Sequence, residues 1–159
     1  CLVGSEMCIR DRAKYAKKRL VHVDHLTLYR PLFSAGATVT LRTDSKPLRD
    51  YALGQFAAAG YDTLWVSDDV RRDHPEHPET EYECRTREMG AVVYGICAAP
   101  GAQPSDNQLA TGRAQEQSLA CYLPDNLDEL TYVPLGMEEA VANFKNRARK
   151  GKKRLSQES

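Results

Sequence analysis

Residues 37–67, ATVTLRTDSKPLRDYALGQFAAAGYDTLWVS, decide the fold class. Ala37 to Thr43 alternates, is rich in β-branched residues and stops at an acid, Asp44, which predicts a strand. Lys46-Pro47 then opens a helix, with Pro in the first turn, where its missing N–H is no loss. Leu48, Tyr51, Ala52, Phe56 and Ala59 recur at helical spacing until Gly60 stops the helix. Tyr61 to Ser67, carrying Leu64, Trp65 and Val66, predicts a second strand. Strand, helix, strand is the repeating unit of an α/β domain.

On the N-terminal side, a basic entry from Lys14 to Arg19 leads to Asp24, which can cap a helix carrying Leu26, Leu28, Tyr29 and Leu32 to about Phe33. Ser34 to Ala37 turns the chain. On the C-terminal side, Asp68 to Glu79 is acidic, His-rich and Pro-rich, and predicts an exposed loop. Thr80 with Glu83 three residues on has capping-box spacing, so a helix should run from there to near Gly90. Ala91 to Ala98 predicts a third strand, in what the alternation suggests is a larger parallel sheet. Pro100 to Asn107 reads as a polar linker, 100–118 as the connection, and Leu119 to Leu123 as a short strand. Met137, Val141, Phe144 and Ala148 share one face of a last helix, in an extension over 119–159.

The 159 residues, 42% hydrophobic, suit one soluble domain. Without a run of about 18 apolar residues, neither a membrane span nor a membrane partner is expected, and a cytoplasmic location is the default. The net charge of +0 hides a tail, Lys145 to Arg154, that holds basic residues and no acid, so a polyanionic partner stays open. Cys84, Cys97 and Cys121 are scattered, with no Cys-x-x-Cys pair, which argues against a zinc or redox site. His74 and His77 lie in His-Pro-Glu-His-Pro-Glu, where Pro75 and Pro78 deny a helical metal site; a solvated loop and no metal are expected. No strand is followed by a G-x-G-x-x-G turn that could cradle a cofactor.

Residues 1–12 change character from the rest. Glu6 to Arg12 resembles one reading frame of a transposase adapter used to build sequencing libraries, so 1–12 are expected to be an adapter scar and the chain a fragment.

At Thr43-Asp44, Trp65 to Asp69, Thr80-Glu81-Tyr82-Glu83, Gly90 and Val93-Tyr94, the chain resembles the C-terminal half of the bacterial tRNA (guanine-N7-)-methyltransferases. The resemblance covers about 13–99. It departs at Ser34-Ala35-Gly36-Ala37, where the family has Lys-Pro-Gly-Gly. It implies the C-terminal half of a Rossmann-like class I sheet, S-adenosyl-L-methionine as methyl donor and tRNA as substrate. The family's donor loop and its proposed catalytic Asp would lie upstream of Ala13, so the chain alone is expected to be inactive.

The resemblance further implies that Asp44, Thr80, Glu81, Tyr82 and Glu83 contact a variable-loop guanosine, and that Lys14, Lys17, Lys18 and Arg19 contact the RNA backbone. Beside these stand plainer roles: Asp44 as a helix N-cap, Thr80 and Glu83 as a capping box, Tyr82 and Trp65 as core. A non-catalytic RNA-binding module using the two basic segments is the rival reading.

Overall fold

The computed structural model describes residues 2–5, 13–115 and 118–155. Of the adapter-like opening, residues 1 and 6–12 thus lie outside the described residues, while Leu2–Ser5 forms strand β1.

The central unit takes the expected form. Strand β2, Val39–Thr43, is followed by helix α2, Lys46–Ala58, and strand β3, Tyr61–Ser67. Helix α2 turns Leu48, Tyr51, Ala52 and Phe56 into the core beside Leu41 and Ile96. Gly60 has φ +71°, and a Cβ there would run into the Ala102 carbonyl, which is why only Gly turns the chain at this point. Arg30 locks the same corner, donating to the carbonyls of Ala59 at 3.0 Å and Gly60 at 2.6 Å, acceptors left over at the end of α2.

The sheet departs from a wholly parallel one. Strand β4, Tyr94–Pro100, lies between β2 and β3 and runs antiparallel to both; the order is β1-β2-β4-β3, with β1 parallel to β2. The fold is therefore mixed α/β. Alternation of strands and helices predicted the class but carried no information on the direction of β4, which follows a loop and helix long enough to return the chain either way.

Local boundaries differ for identifiable reasons. Helix α1, Val23–Tyr29, is capped by His22 rather than Asp24, and continues as a 3-10 turn at Arg30–Leu32 because Pro31 interrupts the α-helical ladder. The 68–79 loop contains a short helix α3, Val70–Asp73, capped by Asp69. Helix α4, Glu81–Glu88, begins at Thr80 as expected. The linker gives way to helix α5, Asp106–Ala114, whose Ser105 and Gln108 form a capping box. α5 is polar along most of its length, and its docking depends on Gly112, where an added Cβ would lie 2.8 Å from the Ala58 Cβ. The expected strand at 119–123 is a 3-10 turn, Leu119–Tyr122, packed on α2, and a second such turn spans Leu127–Glu129. Helix α6, Glu138–Leu155, buries Val141 next to Met137 but leaves Phe144 partly exposed. Among the described residues no helix is long and apolar enough to cross a membrane, and Cys84, Cys97 and Cys121 are free thiols.

Candidate functional site

β2 ends by delivering Asp44 to the rim of the sheet, where its side chain is buried, only 2% exposed. Asp44 is not the cap of α2. That role falls to Ser45, whose hydroxyl accepts from the Leu48 N–H at 3.2 Å, so the Asp44 carboxylate is left for other partners. Its Oδ2 accepts from the Tyr132 hydroxyl at 2.9 Å and from the Leu135 N–H at 3.1 Å, while Oδ1 has no hydrogen-bond partner. Burial, and then the charge of Asp44, push the Tyr82 phenol up to about 12. Burial and the hydrogen bond to Asp44 raise Tyr132 as well. Two protonated phenols thus stand beside one carboxylate. Asp44, Lys46, Tyr94, Tyr122 and Tyr132 line a cavity of about 530 Å³.

The turn opening α4 uses its carboxylate differently. The Glu83 N–H donates to the Thr80 hydroxyl at 3.3 Å, and the Thr80 N–H donates to Glu83 Oε2 at 2.7 Å, which closes the capping box. Glu83 also accepts from Arg42 Nη1 at 3.2 Å on both oxygens, in a pair whose side chains are 8% exposed. Arg42, from the buried strand β2, donates further to the Pro78 carbonyl at 2.8 Å. Glu81 points outward and pairs with Arg85. Hence the motif divides: Tyr82 is next to Asp44, while Glu83 and Arg42 line a separate cavity of about 280 Å³. Ala91 and Val92 contribute to the walls of both.

The basic entry is divided too. Lys17 and Lys18 are exposed, whereas Arg19 is fully buried with its guanidinium 4.4 Å from the Tyr51 ring centroid, in the interior rather than on a phosphate-facing surface. The Lys14 side chain and those beyond 147 in the basic tail lie outside the described residues. Lys145 lies 3.8 Å from Asp128. In the 68–79 loop, His74 packs on Trp65 with ring centroids 4.1 Å apart and pairs with Glu76 at 3.3 Å, and His77 lies 3.7 Å from the same carboxylate. His74, Glu76 and His77 thus bring three ligand-type atoms within 4.8 Å of one another.

Sequence reasoning did not reach Tyr132, Leu135 or Arg42. The signal for Arg42 was a cation inside a short strand of β-branched and apolar residues, where burial demands an acid partner. Tyr132 is separated from Asp44 by 88 positions and carries no local signal.

A relative from Streptococcus equi subsp. zooepidemicus, a tRNA (guanine-N(7)-)-methyltransferase, is 29% identical over 86 residues, which is 54% of this chain and 41% of the relative. About half of this chain matches tRNA (guanine-N(7)-)-methyltransferases. Those of Alkaliphilus oremlandii, 31% identical over 88 residues, and Brevibacillus brevis, 28% over 90, each match across 55% of the chain and 42% of their own length. The chain therefore spans well under half the length of these methyltransferases. No family model matches it.

Proposed function

We propose that this chain forms the substrate side of an S-adenosylmethionine-dependent tRNA (guanine-N7-)-methyltransferase. The observation that carries the reading is the buried Asp44 carboxylate, held by Tyr132 in the wall of the larger cavity with the Tyr82 phenol beside it. On this reading 13–99 is the C-terminal part of a Rossmann-like domain, with β4 as the antiparallel member of an otherwise parallel sheet, and the adapter-like Leu2–Ser5 lies at the edge of that sheet as β1.

S-adenosylmethionine supplies the methyl group. The residues described here do not form a cradle for it: β2 runs straight into a buried Asp and the Ser45 cap, with no glycine turn opening the backbone to a ligand. The donor is assigned to the part of the relatives outside the match, together with the catalytic Asp, and the chain by itself is expected to transfer no methyl group.

This chain's residues hold the acceptor. The guanine N7 lone pair already lies in the ring plane, so alignment matters more than a strong base. Asp44 accepts from the guanine N–H edge and offsets the positive charge that develops on the ring as N7 is alkylated. Tyr82 and Tyr94 exclude water from that contact. Lys17 and Lys18 meet backbone phosphates, and the target base is unstacked to enter the cavity.

Joining residues 13–155 to the remaining portion of the Alkaliphilus oremlandii relative tests the reading. The folded chimaera should place 7-methylguanosine in tRNA, and Asp44→Asn should lower kcat/KM by roughly 100-fold, as loss of one transition-state contact does. A folded chimaera whose Asp44→Asn form methylates at the unsubstituted rate would overturn the role of Asp44. The exposed Lys17 and Lys18 serve equally a rival reading, a non-catalytic RNA-binding module. It requires salt-sensitive tRNA retention by the chain, indifferent to Asp44→Asn, and a chimaera without methylation.

A further inference from the structure

The segment 119–137 lies outside the stretch that carries the family resemblance, yet it is built into the Asp44 cavity. Leu119 and Met137, at its two ends, are fully buried in the core, and the Ser45 hydroxyl lies 3.4 Å from the Met137 sulfur. Between these anchors the chain crosses the end of β2, and Tyr122, Leu130, Tyr132 and Pro134 form the outer wall of the cavity. The segment is a strap pinned at both ends, with Asp44 beneath it.

The hydrogen bonding of Asp44 is one-sided. A carboxylate oxygen has two lone-pair positions, and on Oδ2 both are taken, by the Tyr132 hydroxyl and the Leu135 N–H. Those two donors fix the carboxylate plane. Oδ1 is buried and makes no hydrogen bond, with the Tyr82 phenol as a neighbour of the carboxylate, and a buried acceptor of this kind is costly unless something fills it. The nearby cations are committed elsewhere: Lys46 pairs with Asp50 at 3.5 Å, and Arg49 with Asp50 and Asp68, each at 2.8 Å. A neutral N–H or O–H donor would complete Asp44 without bringing a further charge into the cavity.

We infer that residues 119–137 complete the nucleobase pocket and that Tyr132 is a positioning residue, which holds Asp44 so that Oδ1 is the acceptor presented to the base. The inference rests on the reading of Asp44 as the guanine contact. Guanine offers N1–H and N2–H donors on the edge that would meet Oδ1, whereas adenine offers an acceptor at N1 and would be repelled. A carboxylate free to rotate would discriminate less, since it could turn Oδ1 away from an adenine. Tyr132 thus sets selectivity as well as affinity.

Guanosine and adenosine are titrated into the full 159-residue chain and into its Tyr132→Phe variant, with amide chemical shifts as the readout. Guanosine should bind the unsubstituted chain and weaken about tenfold in the variant, the size of one hydrogen bond to a charged group. Its preference over adenosine should shrink while the melting temperature stays within a few degrees. Equal guanosine affinity and selectivity in both proteins would overturn the role of Tyr132 and leave the pocket standing. No guanosine binding to either would overturn the pocket and the inference together. Should the variant not fold, the Tyr132 Cζ resonance of the unsubstituted chain decides: a shift with guanosine and not adenosine supports the inference, and an unmoved resonance defeats it.

Discussion

Two carboxylates are buried, one at the end of β2 and one in the first turn of α4, and they are treated in opposite ways. Glu83 meets a full charge, Arg42, and has the Thr80 N–H besides, so both its oxygens are occupied. Asp44 meets neutral groups, the Tyr132 hydroxyl and the Leu135 N–H on one oxygen and the Tyr82 phenol nearby, and its other oxygen makes no hydrogen bond. Glu83 is buried as part of the fold, and under the proposed function Asp44 is buried for a ligand. The proposed function thus makes one carboxylate a girder and the other a contact point, and only the surroundings tell which is which.

Glu83→Ala breaks this comparison most forcefully. It strands Arg42 in the interior without its counter-ion, and should cost roughly 3–5 kcal/mol in urea unfolding. A loss below about 1 kcal/mol would show that Arg42 finds water or another acid. Next in size, Thr80→Ala removes the N-cap and should cost about 1 kcal/mol in the same measurement. Asp44→Asn keeps an acceptor for Tyr132 and Leu135 and leaves no cation unpaired, so its unfolding free energy should stay within about 1 kcal/mol of the parent. A loss as large as that of Glu83→Ala would make Asp44 a second girder.

The alkaline limb sharpens the contrast further. Tyr82 has a folded pKa of about 12 against about 10 for an unfolded tyrosine, and Tyr132 is also raised. A folded pKa above the unfolded one means that stability is intact below about pH 10 and is lost as pH rises towards about 12, because the unfolded chain ionises first. Burial is the larger cause, but the charge of Asp44 adds to it. The urea midpoint should therefore fall between about pH 9 and about pH 11, and fall less in Asp44→Asn. An equal fall in both proteins would remove Asp44 from the neighbourhood of these phenols.

What the sequence made legible follows from range. Thr80 to Glu83 and the Ser45-Lys46-Pro47 start are short-range hydrogen-bond patterns, and their helices form where those residues stand. The β2-α2-β3 unit is equally local in its signal, since period and Gly60 together define it. Strand direction is not local: β4 is antiparallel because of how the chain returns past β3, and its apolar run of Tyr94 to Ala99 would suit either direction. α5 escaped notice because its mostly polar face gives no period, although Ser105-x-x-Gln108 marked its start. For the site, Asp44 and Tyr82 were reached through the family motif, whereas Tyr132 was invisible because its partner lies on a strand far back in the chain. Arg19 shows the reverse error, a basic residue in a basic run that packs inward on an aromatic ring.

The most direct test is to map guanosine onto the chain by amide chemical shifts and to repeat the titration with Asp44→Asn. Guanosine should move the resonances of Asp44, Tyr82 and Tyr94, leave those of Arg42 and Glu83 in place, and have no effect on the variant. Shifts confined to the Arg42 and Glu83 cavity, or undiminished shifts in Asp44→Asn, would contradict the assignment of the open carboxylate as the contact for the base.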